Sequence, residues 1–183
     1  MRASLAALAL TVAAAQAQEG EISPIVGVSL DAFYGACMNE AFELRAVVPF
    51  ISQMGWQEID AMTLTMFSPP GPQDFLKGWV AESPDKPPLP FLLVVSRPVD
   101  RLNGVEVCTA MFGGLDPREF QAVFVDETGA VETGRDNAAG GTTFFYSLPD
   151  LPDILVSLAL DTRGGGREVV ATAVHMGQPD FTK

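Results

Sequence analysis

The chain contains two cysteines, Cys37 and Cys108, and their pairing is the feature that most restricts its fold. Cys37 lies in a segment with helical periodicity, and Cys108 lies in the apolar stretch 91–112 (FLLVVSRPVDRLNGVEVCTAMF). Two cysteines in an exported chain most often form a disulfide, and the chain has no Cys-x-x-Cys motif of the kind that redox enzymes and metal sites use. We therefore predict a disulfide between the first helix and a β-hairpin, which stabilises the fold by roughly 4 kcal/mol because it closes a long loop.

The first 17 residues have the composition of a secretory signal peptide. Arg2 provides a positive start, residues 3–15 form an Ala, Leu and Val run, and Ala15-Gln16-Ala17 places small residues where signal peptidase cleaves. The run is shorter than the roughly 20 apolar residues that a bilayer span needs. We predict cleavage between Ala17 and Gln18, which leaves one domain, residues 18–183, in the periplasm or secreted, with no membrane span after cleavage.

The formal net charge of the chain is −12. Such a surface repels nucleic acid and anionic lipid, so neither is expected as a partner. A basic protein or a cation fits this charge better. The alternative is that the charge serves only solubility.

An amphipathic helix with a kink is predicted near the start of the mature chain. Ser29 or Asp31 suits the N-cap of a helix that begins near Ala32. Apolar residues then recur at steps of three and four, on one face: Phe33, Cys37, Ala41, Leu44, Val48 and Ile51. Pro49 is expected to kink or break this helix, with a short second helix continuing to Met54.

The region between residues 55 and 90 predicts one strand and one helix. Methionine and leucine alternate with threonine over residues 62–66, which is typical of a strand. Apolar residues over 75–80 recur at helical spacing, although Gly78 weakens that prediction. The prolines of residues 83–90 indicate an extended surface segment that leads into the hairpin.

The stretch 91–112 predicts a β-hairpin, because two apolar runs flank a loop that ends in Asn103-Gly104. A helix start follows, with Asp116 as N-cap and Pro117 in the first position. Phe120, Val123 and Phe124 of that helix are expected to face the sheet.

The C-terminal third predicts three consecutive strands over residues 142–148, 154–160 and 168–175. The polar, acidic segment 126–141 before them predicts a mobile loop or an exposed hairpin. Together the elements predict a single α+β domain, with an antiparallel sheet of about five or six strands. The kinked N-terminal helix and a second helix pack mostly on one face of that sheet.

Common catalytic and cofactor motifs are missing from the sequence. It has no Gly-x-Ser-x-Gly, no His-Glu-x-x-His, no EF-hand loop and no phosphate-binding Gly-Lys-Ser/Thr loop. The one histidine, His175, lies in a predicted strand with no obvious acidic neighbour in the sequence, which favours a packed or surface histidine over a catalytic base. We therefore assign no cofactor, no metal and no catalytic residue.

Glu40 and Glu106 are the candidates for an acid–base pair. Glu106 alternates in phase with Cys108, so it points toward the side where the first helix docks if the disulfide forms. A carboxylate beneath a helix has a raised pKa, as catalytic acids do. The alternative is an edge residue that faces water or pairs with Arg101 across the turn.

Short motifs between residues 33 and 111 carry a resemblance: Phe33, Cys37, Gly55-Trp56, Val95-Ser96 and Gly104-Val105-Glu106-Val107-Cys108. In these residues the chain resembles small, uncharacterised exported proteins of proteobacteria. The resemblance implies export and a paired Cys37 and Cys108, and it brings no activity with it.

Three classes of function remain open. The favoured one is a non-catalytic binding or interaction protein of the periplasm, with a basic periplasmic protein or a small ligand as partner. One version is an inhibitor of a basic cell-wall enzyme that binds through the acidic segment 126–136. The second class is an enzyme that acts on cell-envelope material through Glu40 and Glu106. A structural role in the envelope is a third possibility.

Overall fold

The computed structural model describes residues 22–38, 47–49, 51, 55–67, 71–81, 91–99, 104–138, 140–161 and 166–176. Within them, eight strands form one antiparallel sheet in the order β1-β2-β3-β4-β8-β7-β6-β5. The strands are β1 Gln57–Glu58, β2 Gln73–Ala81, β3 Phe91–Pro98, β4 Glu106–Gly113, β5 Val131–Ala138, β6 Gly141–Ser147, β7 Ile154–Leu160 and β8 Glu168–His175. The α+β prediction with an antiparallel sheet is confirmed, but the predicted count of five or six strands is wrong.

Within the described residues, the helices whose bounds are defined are α1 Pro24–Cys37, α2 Ala61–Leu64 and α3 Pro117–Thr128. Residues 47–49 and 51 are also helical. No helix in the described segments is long and apolar enough to cross a membrane.

Helix α1 begins earlier and ends earlier than the sequence predicted. Pro24 occupies the first turn, where its missing N–H costs nothing and its fixed φ suits a helix, so Ser29 and Asp31 lie inside the helix and are not its caps. The helix ends at Cys37, well before Pro49. Residues 39–46 of the predicted continuation lie outside the described segments.

The two predictions for residues 61–80 are wrong. Residues 61–64 form α2, because the Asp60 side chain accepts hydrogen bonds from the N–H groups of Met62 and Thr63, both at 3.0 Å, and caps the helix. Residues 73–81 form β2, which pairs with β3 along its whole length. Pairing with a long neighbouring strand outweighs local helical spacing.

The central hairpin, the helix after it and the C-terminal strands are confirmed. Strands β3 and β4 pair over five register positions, from Leu92 opposite Met111 to Ser96 opposite Val107. Asp116 caps α3 by accepting hydrogen bonds from the N–H groups of Arg118 at 2.8 Å and Glu119 at 3.3 Å. Of segment 126–141, residues 126–128 finish α3, and residues 131–138 form β5, which pairs with β6 in an exposed hairpin.

Helices α1 and α3 pack on one face of the sheet, which we call the helix face. Its buried side chains include Leu93, Ala110, Leu158 and Ala171 of the sheet with Val26, Leu30, Phe33, Phe120 and Phe124 of the helices. The predicted disulfide is present: Cys37 of α1 is bonded to Cys108 of β4, with a Cα–Cα distance of 5.4 Å. It fastens the C-terminal end of α1 to the middle of the sheet.

Candidate functional site

The opposite face of the sheet, which we call the groove face, carries an open apolar groove. Its floor is one row of directly opposed residues across four strands: Val80 of β2, Leu92 of β3, Met111 of β4 and Val170 of β8. All four side chains are only half-buried. Because neighbouring strands lie about 4.8 Å apart, the floor extends roughly 14 Å across the sheet.

The segment of residues 59–67, which contains α2, forms one side of the groove. Ile59, Thr63 and Phe67 line this side, and the Phe67 side chain is 37% exposed. The groove encloses about 580 Å³, within the range of ~300–1,000 Å³ that is usual for small-molecule sites. An apolar cleft of this size is the arrangement in which proteins commonly bind small ligands.

Gly78 of β2 lets α2 approach the sheet closely. A Cβ built on Gly78 would lie 2.6 Å from Leu64 Cδ1 and 3.3 Å from the Leu93 carbonyl oxygen. Leu64 is 6% exposed, so it anchors α2 on the groove face. The absence of a side chain at Gly78 therefore determines how closely α2 lies against the sheet, and so the position of this side of the groove.

Polar groups border the apolar floor. In the next row of the sheet, Thr109 and Thr172 share a hydrogen bond between their Oγ1 atoms, 3.1 Å apart. Three of the described lining residues are acidic, namely Glu58, Asp60 and Glu168, and none of them is basic. The Glu58 carboxylate forms an ion pair with Lys77 at 2.6 Å. The Asp60 and Glu168 carboxylates therefore give the groove border a negative character.

Glu106 lies on the helix face, as the phase of β4 predicted. Its side chain is 14% exposed and its Oε1 accepts a hydrogen bond from Arg97 Nη2 in a close ion pair. Asp74 approaches the same guanidinium at 4.0 Å, and Glu106 holds the pKa of Arg97 above its ordinary value. The predicted partner Arg101 lies outside the described residues.

His175 of β8 is directly opposite Glu106 of β4, so the histidine has an acidic neighbour that its position in the sequence does not reveal. His175 Nε2 is 2.7 Å from the carbonyl oxygen of Cys37, and because a carbonyl only accepts, Nε2 carries the hydrogen. Burial lowers the pKa of His175, while the Cys37 carbonyl and Glu106 act in the opposite direction. His175 thus joins β8 to the end of α1 beside the disulfide.

The remaining predicted site residues are placed as follows. Glu40, Ala17 and Gln18 lie outside the described residues, so Glu40 is not positioned relative to Glu106. Of the acidic segment 126–136, Asp126 lies in the last turn of α3, and Glu132 pairs with Arg135 within β5 at 2.8 Å. Within the described segments, no group of three or more His, Cys, Asp or Glu residues could hold a metal ion.

The sequence does not reveal the groove, because its floor combines four strands and one of them, β2, has apolar residues at helical spacing. The available signal was the run Phe91–Val95, which is apolar at every position and so places apolar side chains on both faces of β3. One face of such a strand packs against helices, and the other needs a second cover or a ligand.

Comparison of the chain with protein-family models, with curated proteins and with solved structures gives no match.

Proposed function

We propose that the protein is an exported, non-catalytic binding protein that holds a ligand with an apolar body in the groove. The observation that carries this proposal is the floor of the groove, where Val80, Leu92, Met111 and Val170 form an unbroken apolar row. Each methylene that such a ligand removes from water adds ~0.8 kcal/mol to binding.

The arrangement of Glu106 favours binding over the carboxylate-enzyme alternative. A catalytic acid must lie within hydrogen-bond reach of its substrate. Glu106 is instead only 14% exposed, and its carboxylate is engaged in the ion pair with Arg97. Glu106 also lies on the helix face, away from the groove floor.

Export is supported by the disulfide and by the signal-like N-terminus. Structural disulfides persist in oxidising compartments and are rare in the cytosol. The test is to express the full-length chain in a bacterium with a periplasm and to locate the product by fractionation. A periplasmic or secreted protein that begins at Gln18 by mass spectrometry is expected, and a cytoplasmic product that retains residues 1–17 would contradict export.

Ligand binding is tested with the oxidised, exported protein and 1-N-phenylnaphthylamine, an uncharged apolar dye whose fluorescence rises in apolar sites. We expect saturable binding with one site per chain and displacement of the dye by straight-chain alcohols. Each added methylene should strengthen displacement about fourfold, until the chain outgrows the floor.

Two substitutions to lysine separate the groove from the rest of this face. Met111→Lys places a charge in the middle of the floor and should abolish dye binding. Leu155→Lys is the matched control, because Leu155 is 46% exposed on the same face but is not among the residues that line the groove. Urea unfolding of both variants verifies that they fold. Equal dye binding by the folded variants would exclude the groove as the site.

A further inference from the structure

We infer that the groove selects ligands whose apolar body ends in a cationic head, such as a small alkylammonium amphiphile. This inference rests on the proposed function and adds the chemical class of the ligand. Two kinds of evidence support it: the charges at the border of the groove and the size of the groove.

The border carries carboxylates from two separate elements. Asp60 lies at the start of α2, on the side of the groove that this helix forms. Glu168 is exposed at the start of β8, two residues before Val170 of the floor, so it lies at the opposite end. A ligand lying along the floor therefore meets a carboxylate near either end.

The Asp60 charge is maintained by its role as helix cap. Its Oδ1 accepts hydrogen bonds from two backbone N–H groups, and its Oδ2 accepts one from Thr63 Oγ1 at 2.6 Å. The hydrogen bond from the Thr63 side chain has the largest effect in lowering the pKa of Asp60, and the backbone N–H groups of Thr63 and Met62 lower it further. The carboxylate is thus ionised, and Asp60 is exposed at the start of α2, where its negative charge can attract a cationic group.

An anionic amphiphile fits this site poorly. Among the described residues that line the groove there is no lysine, arginine or histidine to receive a carboxylate or phosphate head. The chain as a whole has a formal net charge of −12, which repels anions at longer range.

The size of the groove favours a small molecule over a basic peptide. Its volume of about 580 Å³ corresponds to one compact ligand, and its floor is a single row of side chains across the strands. An amphipathic helix presents a stripe of anchors over several turns and needs a longer trough.

The experiment compares three decyl compounds as competitors of the bound dye at pH 7.5 and low salt: decylammonium, decanol and decanoate. We expect decylammonium to bind about fivefold more tightly than decanol, and decanoate to bind more weakly than decanol. The advantage of decylammonium should shrink as salt is raised, because the border carboxylates are exposed and therefore screened.

Two double variants test where the preference originates. Asp60→Asn with Glu168→Gln removes both border charges, while asparagine still caps α2, and should bring decylammonium to within about twofold of decanol. Asp126→Asn with Asp136→Asn is the matched control, because it changes the net charge equally at exposed positions outside the groove, and the preference should remain.

The outcomes distinguish this inference from the proposed function. Equal affinity for the three decyl compounds, or the same loss in both double variants, would overturn the cationic preference while leaving an apolar groove. If the dye does not bind at all, both the proposed binding function and the cationic preference are excluded. A basic amphipathic peptide that displaces the dye at lower concentration than decylammonium would overturn the assignment to a small ligand.

Discussion

Gly78 of β2 lies directly beneath Leu64 of α2, so closely that a single added carbon would come within 2.6 Å of the Leu64 side chain. The two residues are not neighbours in the chain and belong to different kinds of element. Their contact fixes α2 against the groove face and so fixes one side of the candidate binding site.

Gly78→Ala is expected to lower the free energy of unfolding by ~1–3 kcal/mol, because the new methyl overpacks the contact with Leu64. It should also weaken dye binding, because α2 moves away from the sheet. Gly134→Ala in β5 is the control, since its Cβ meets only Phe145 Cδ2 at 4.0 Å. Urea unfolding measures the free energy of unfolding of both variants. In a Leu64→Ala background, Gly78→Ala should lower the free energy of unfolding by less. If the loss is unchanged, the contact between residues 64 and 78 does not cause it.

Loss of the disulfide is expected to cost ~2–5 kcal/mol of folding free energy, because Cys37 and Cys108 are 71 residues apart and their bond restricts the unfolded chain. The comparison is between the oxidised protein and the double variant Cys37→Ala with Cys108→Ala in urea. A reductant should shift the unfolding midpoint of the natural chain toward that of the variant, and the variant itself should not respond. If the reductant leaves the unfolding midpoint of the natural chain unchanged, the disulfide does not stabilise the fold.

The stability of the protein is expected to fall as the pH is lowered through the range in which histidine titrates. Burial lowers the pKa of His175 in the folded state below its ordinary value of 6.5, so the unfolded chain binds the proton more readily. The contribution of His175 is therefore complete above about pH 7 and is lost as the pH falls below 6.5.

Urea unfolding at pH 7.5, 6.5 and 5.5 measures this dependence. The control is His175→Gln, which keeps an N–H donor for the Cys37 carbonyl and does not titrate, so its stability should change less over the same range. Parallel curves for the two proteins would show that other groups, and not His175, cause the change.

Asp116→Ala is expected to destabilise the protein by ~1 kcal/mol, because the hydrogen bonds to the N–H groups of Arg118 and Glu119 are lost at the start of α3. Asp126→Ala is the matched control, since it removes an exposed aspartate from the last turn of the same helix, where a negative charge opposes the helix dipole. Thermal unfolding compares them. A larger loss for Asp126→Ala would contradict the capping role.

Much of the fold could be predicted from short segments. Asp116 and Pro117 define the start of α3 by chemistry within one turn of the helix, and the alternation in residues 154–160 identifies β7. The disulfide followed from the number of cysteines and the signal-like start. The predictions failed at residues 61–80, where α2 depends on the Asp60 cap and β2 on pairing with β3.

The amino-acid sequence by itself determined the class of the fold, the pairing of the cysteines and most element boundaries after residue 90, because these depend on local periodicity, capping and composition. Only the tertiary structure decided which other residues meet. The groove floor requires the register of four strands, and Glu106 faces His175 only because β4 pairs with β8. Such contacts join residues far apart in the chain, and their energy comes from packing and strand pairing that no single segment contains.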